Sequence, residues 1–325
     1  MTHASKLLLF LLLMMNVTAT FSQTSKDNFI QGLLHTNRNE DEKAIGFFNM
    51  ALELKPDYFE AYVMRGSTLM RLGNYLSAVI DFDKALELDP SLIKAYNYRG
   101  FCYVELKDYK RAADDFTKVI SLKPDYPNAY ESRAWAHSLS NKHKEALPDY
   151  DKAIELNPQY HEAYHHRAWS KIALGDTAAA IVDFTKAIEL NEEIPTYHDD
   201  RGQIYVAIKN QKEALKDFNQ AIKLDGNFVP ALLHRAQLKI DEGKPKPACK
   251  DLEVAASLHS KKATELMGLH CVTEEKSKED SEEKKEDVKE EKDAKEEKDT
   301  KEGKGEKKKD KKEPKSDSEE KKDSE

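Results

Sequence analysis

The chain has 325 residues, a formal net charge of −8 and 34% charged residues. Its charges are mixed along the body and no basic stripe stands out, which excludes a nucleic-acid partner. Three cysteines are too few, and odd in number, for a disulfide framework.

In chain order, residues 1–22 read first, as a secretory signal. Lys6 gives a basic start, residues 7–17 form an apolar run, and Thr20-Phe21-Ser22 places small residues where a signal peptidase reads. The run, about 11 residues, falls short of the ~20 that cross a bilayer as a helix. A cleaved signal is therefore expected in preference to an anchor. The Thr-Phe-Ser-Gln ending resembles signals of Gram-negative, Bacteroidetes-type bacteria, and the mature chain is expected to be periplasmic or secreted. A eukaryotic secretory route is the open alternative.

The body is periodic. Pro56, Pro90, Pro124 and Pro158 are spaced 34 residues apart, each two residues after a leucine. The register divides residues 25–270 into seven units, 25–58, 59–92, 93–126, 127–160, 161–194, 195–228 and 229–262, and a short capping helix over 263–270. The eighth residue of every unit is small: Gly32, Gly66, Gly100, Ala134, Ala168, Gly202 and Ala236. The twentieth is alanine from Ala44 to Ala248, and the twenty-fourth is aromatic (Phe48, Phe82, Phe116, Tyr150, Phe184, Phe218) or Leu252. Small residues at fixed places let helices approach, and the large one fills the space beside them. Such a period predicts stacked two-helix units, each burying its apolar face against its neighbours. Gly73, Gly175 and Gly243 fall at the turn within a unit, and the prolines end the second helix. Pro148 lies inside a second helix, where a local distortion is expected.

These residues resemble the tetratricopeptide repeat (TPR) family over roughly residues 25–270. The resemblance implies an all-α fold, a right-handed superhelical solenoid of helix-turn-helix repeats, and a role in holding proteins or peptides.

One departure from the family pattern recurs. Arg65, Arg99, Arg133, Arg167, Arg201 and Arg235 stand at the seventh position of units two to seven, where the family usually has an aliphatic residue. Asp81, Asp115, Asp149, Asp183, Asp217 and Asp251 stand at the twenty-third position of the same units. Unit one has neither, carrying Gln31 and Phe47. The two types appear and vanish together, which predicts an Arg–Asp ion pair between the helices of each unit, with arginine's planar fork against the carboxylate. The expected role is structural.

In the family the first helices line a concave groove, through the second, fifth, sixth and ninth positions of each unit. The ninth positions here include Phe101, Trp135, Trp169 and Gln203, so three successive aromatics form a candidate peptide-binding strip. Packing against the next helix is the competing reading. Asn97, Tyr98, Glu131, His165, His166, Asp199 and Asp200 flank the strip. The carboxylate clamp of some family members is missing, because Val63, Ser67, Tyr98, Glu131 and Asp199 hold its places. The acidic, histidine-bearing wall suits a neutral or basic ligand. His161 and His165 have metal-ligand spacing on one helix, but no His-Glu-X-X-His motif accompanies them, and no metal or cofactor is assigned. No nucleophile elbow or phosphate-cradling loop occurs, and no enzyme activity is expected.

The last segment, residues 272–325, holds 18 basic and 23 acidic residues and almost nothing apolar. It is expected to be a disordered Lys/Glu-rich tail, either solvating or acting as an electrostatic tether. Pairing of Cys249 with Cys271 is left open by their spacing. The function read from the sequence is a non-enzymatic scaffold or adaptor that holds an extended peptide or partner helix in the groove. A structural envelope role through the convex face or the tail is the alternative, and metal binding a lesser one.

Overall fold

A computed structural model describes residues 24–271, and it divides at Leu238/Lys239 into two compact units. The expected signal and tail lie outside the described residues. The described residues contain fifteen α-helices and no strand.

In the first unit the helices are α1 (Ser25–Asn37), α2 (Asp41–Leu54), α3 (Phe59–Arg71), α4 (Tyr75–Leu88), α5 (Ile93–Glu105) and α6 (Tyr109–Leu122). They continue as α7 (Pro127–Leu139), α8 (His143–Leu156), α9 (His161–Ala173), α10 (Thr177–Leu190), α11 (Pro195–Ala207) and α12 (Gln211–Leu224). The next helix, α13 (Val229–Asp241), begins in this unit. Each helix from α1 to α11 packs on the next in sequence. First helices also touch across the period: α1 meets α3, α3 meets α5, and α7 meets α9. One face of the stack is thus built from first helices alone.

Local chemistry sets the helix ends. Each second helix from α2 to α12 stops at a leucine, followed by a C-cap in extended or near-extended backbone, such as Lys55 at φ −142° before Pro56. A residue before proline is pushed out of the α region. Asn191 and Asp225 adopt the same geometry with no proline after them, so packing also holds it. The turn inside each unit needs one residue with positive φ. Gly73, Gly175 and Gly243 supply it at 78°, 85° and 73°, while Asn39, Lys107, Asn141 and Lys209 adopt it at 57° to 61°. Helix α8 continues through Pro148, its sixth residue, so the proline does not end the helix.

The core repeats with the sequence. Phe48, Phe82, Phe116, Tyr150, Phe184 and Phe218 are fully buried, as are the alanines at the twentieth position. A β-carbon added to Gly66, Gly100 or Gly202 would stand 2.6 to 2.9 Å from the ring of the phenylalanine sixteen residues on. The same would hold, more tightly, for Gly32 against Phe48. Glycine at the eighth position is therefore the space that the aromatic ring fills.

The second unit, from Lys239, contains the end of α13, then α14 (Pro245–Ser257) and α15 (Lys261–His270), which pack on each other. Ser260 caps α15, accepting from the Ala263 N–H at 3.3 Å. The helix begins two residues ahead of the capping helix read from the sequence. Cys249 and Cys271 form a disulfide that ties α14 to the end of α15.

Candidate functional site

The Arg–Asp residues come together as forks. In Arg65, Arg99, Arg133, Arg167 and Arg201, Nε and Nη2 donate to both carboxylate oxygens of Asp81, Asp115, Asp149, Asp183 and Asp217 at 2.6 to 2.9 Å. The third nitrogen, Nη1, reaches back to the unit before. It donates to Asn49, Asp83, Thr117, Asp151 and Thr185 in turn, at 2.5 to 3.1 Å. Arg235 donates likewise to Asn219 at 2.7 Å, and Asp251 accepts from Lys239 at 2.8 Å. Arg65, Arg99, Arg133, Arg167 and Arg201 therefore each join three helices, two of their own unit and one of the unit before. Among the described residues no unit precedes unit one, and it lacks the arginine.

Neighbouring charge decides how these carboxylates titrate. Burial pushes Asp115 up, with the hydrogen bond from Arg99 only partly offsetting it, and Asp83 adds repulsion because it shares that arginine. Burial also acts on Asp217, but hydrogen bonds from Arg201 and His198 outweigh it and hold the carboxyl below its ordinary value.

The three strip aromatics do not share one environment. Phe101 is half-buried, edge-on to Phe116 at 5.3 Å. Trp135 is half-buried in the core cluster with Phe116 and stacks on His166 at 6.3 Å. Trp169 alone is exposed, at 37%; it stands edge-on to Phe184, and its indole N–H donates to Asp200 at 3.2 Å. Asn97 and Tyr98 are half-buried, Tyr98 at 5.8 Å from Phe82.

The polar wall is paired within itself. Glu131 meets His166 at 2.6 Å, His165 meets Asp200 at 2.7 Å, and Asp199 meets His234 at 2.9 Å. All three join the fifth position of one unit to the sixth of the next, 35 residues on. Gln203 donates to Asp199 at 3.1 Å. His234 was missed by sequence reasoning, and the constant offset of 35 is the signal that could have found it. His161 is engaged with the Tyr197 hydroxyl at 2.8 Å, not with the partner of His165. Among the described residues no group of three histidine, cysteine or acidic side chains could hold a metal ion.

Open apolar space lies elsewhere on the first-helix face. A cavity of about 460 Å³ is lined by Phe29, Leu33, Phe59, Val63, Met64 and Ile93, with Glu60 and Lys94 among its charged residues. Fifth and sixth positions that are apolar in units one and two mark it in the sequence.

A stack of two-helix units, joined by arginine forks and presenting one face of first helices, defines a helical-repeat protein. Residues 93–126 and 127–160 match one profile of the tetratricopeptide repeat, and residues 59–92, 161–194 and 196–228 match a second. These matches take in more than half of the chain, which belongs to the tetratricopeptide repeat family. The crystal structure of a tetratricopeptide repeat protein from Parabacteroides merdae is 18% identical, with 77% of this chain and 100% of that one covered at a TM-score of 0.64. MamA from Desulfovibrio magneticus is 24% identical, with 52% and 95% covered at a TM-score of 0.50. A MamA double mutant is 25% identical over 52% and 94%, at a TM-score of 0.50. These likenesses show the fold. No curated protein matches the chain by sequence. Tetratricopeptide repeats generally mediate protein–protein interaction, and scaffolds of this family are generally non-enzymatic.

Proposed function

We propose that the exported protein is a scaffold or adaptor that holds an extended peptide or a partner's helix along the face of its first helices. One observation carries this reading: an apolar cavity of about 460 Å³ opens on that face, lined by residues of α1 and α3 and the start of α5. Cavities of this size and lining take small apolar ligand groups, which anchor while polar neighbours orient. Trp169, exposed and fixed by Asp200, offers a second anchor further along the same face. Rigid aromatics give contact area with few rotors to freeze.

Export to an oxidising compartment, periplasmic or extracellular, is supported by the signal-like start and by the Cys249–Cys271 disulfide. A structural role through the second-helix face is the alternative; Leu76, Ile80 and Val182 stand out there, each about two-thirds exposed.

Capture of partners from the native compartment tests the choice. Wild type is compared with a Val63→Glu variant, with a Trp135→Ala/Trp169→Ala variant and with a Leu76→Ser/Ile80→Ser variant. A partner lost with the first two and kept by the third supports the groove. The reverse pattern supports the structural role.

A further inference from the structure

The first-helix face changes chemistry along the stack. In units one and two its fifth, sixth and ninth positions are apolar except for Ser67. Phe29, Leu33, Val63 and Met64 line the cavity of about 460 Å³, where Glu60 and Lys94 bring one charge of each sign.

Units four to six read differently. Their second, fifth, sixth and ninth positions carry Glu131, Glu162, Asp199 and Asp200, and no lysine or arginine. The cations of the same helices are engaged with second helices. Arg133, Arg167 and Arg201 fork onto Asp149, Asp183 and Asp217, and Lys171 meets Asp183 at 2.6 Å. Glu131, Asp199 and Asp200 have histidine partners, His166, His234 and His165. A neutral imidazole lends a hydrogen bond but no charge, so with histidine neutral this wall is negative. Glu131 and Asp199 are only 7% and 2% exposed, and a carboxylate shielded from water projects its field more strongly than a solvated one.

Trp169 stands in the same stretch, exposed, with its indole N–H on Asp200 at 3.2 Å. A cation over an indole is drawn to its π face, and here a carboxylate lies at the indole's edge as well. A lysine or arginine side chain meets attraction from both groups, whereas an acidic one meets repulsion from the wall.

The two regions lie within reach of one short segment. From α3 to α7 is two units, and to α9 three. Packed helix axes stand about 8–10 Å apart and an extended chain advances about 3.3 Å per residue, so roughly 5–9 residues cover the distance.

We infer that the ligand of this face is a basic amphipathic segment. Its apolar side chains enter the cavity beside Val63, and its lysine or arginine side chains lie on Glu131, Glu162 and Asp200 beside Trp169. This rests on the peptide-binding reading and adds to it the ligand's charge and the spacing of its two parts.

Selection from a displayed library of random peptides on the full chain tests it, with peptides that also bind the Val63→Glu variant removed. The remaining, groove-dependent peptides are expected to carry lysine or arginine roughly 5–9 residues from an apolar cluster. Their affinity should fall at least tenfold when those basic residues are changed to glutamate, and severalfold with Glu131→Gln/Asp200→Asn. For the unsubstituted chain it should also fall severalfold as salt rises from about 0.02 to about 0.5 M, a readout that needs no folded variant. Groove-dependent peptides without basic residues, or with salt-independent affinity, overturn the proposal and leave the peptide-binding reading standing. A selection that yields no groove-dependent peptide overturns both.

Discussion

Arg167 holds Asp183 of its own unit with two nitrogens and Asp151 of the preceding unit with the third, the last at 2.6 Å. Within the fork the arginine is mostly enclosed and Asp183 is buried, whereas Asp151 is exposed. Arg167→Ala leaves the buried Asp183 with Lys171 alone, at 2.6 Å, and is expected to cost about 2 kcal/mol. Asp151→Ala removes a partner on the exposed side and should cost under about 1 kcal/mol. Urea unfolding of both variants checks the pair of values, and equal small losses would contradict the fork's role.

Gly100 illustrates how tightly first and second helices approach. A β-carbon there would sit 2.8 Å from the Phe116 ring. Gly100→Ala should therefore overpack the contact and destabilise by roughly 1–3 kcal/mol, although alanine is the better helix former. Adding Phe116→Leu to Gly100→Ala should recover part of the loss, which thermal unfolding of the single and double variants would read.

His137 gives the fold a pH dependence of definite sign. Burial pushes its imidazole below the ordinary 6.5, with Asp149 opposing the shift. The folded chain keeps it neutral while the unfolded chain takes up a proton, so stability is lost as pH falls below about 6.5. His137→Gln should flatten the change in unfolding free energy between neutral and mildly acidic pH. An unchanged slope would assign the dependence to other groups.

The three cysteines should behave differently. Cys102 is buried and its thiol is pushed up to about 12, mainly by burial, so a thiol reagent should reach it only on unfolding. The Cys249–Cys271 bridge closes a span of 22 residues. Its reduction should destabilise the segment from Lys239 onward by about 3 kcal/mol, seen as faster amide exchange in α15. Native-state labelling of Cys102 would contradict the first expectation.

Much of this architecture is legible because a repeat compares a sequence with itself. The common disappearance of Arg and Asp from unit one was enough to pair Arg133 with Asp149. The third arm of the fork was hidden because its acceptors change type, from Asn49 to Asp83 to Thr117, while keeping only the ability to accept. The histidine–carboxylate pairs were hidden for a related reason: His165 stands at the fifth position and His166 at the sixth, so donor and acceptor exchange places between units. Phe101, Trp135 and Trp169 are equivalent in register, yet only Trp169 is exposed, since exposure depends on neighbours that differ from unit to unit. The cavity near Val63 is a gap between helices, and its only trace in the sequence is the apolar fifth and sixth positions of units one and two, which no comparison with the aromatic strip brings forward.

The two tryptophans, Trp135 and Trp169, give the most direct test of a binding face on the first helices. In a Trp135→Phe background, Trp169 is the single tryptophan and can be excited selectively at the red edge. Titration with a partner captured by the wild-type protein should shift or quench its emission saturably, and Val63→Glu should weaken that response. Saturable binding of the same partner that leaves Trp169 emission unchanged, and is indifferent to Val63→Glu, would contradict the account.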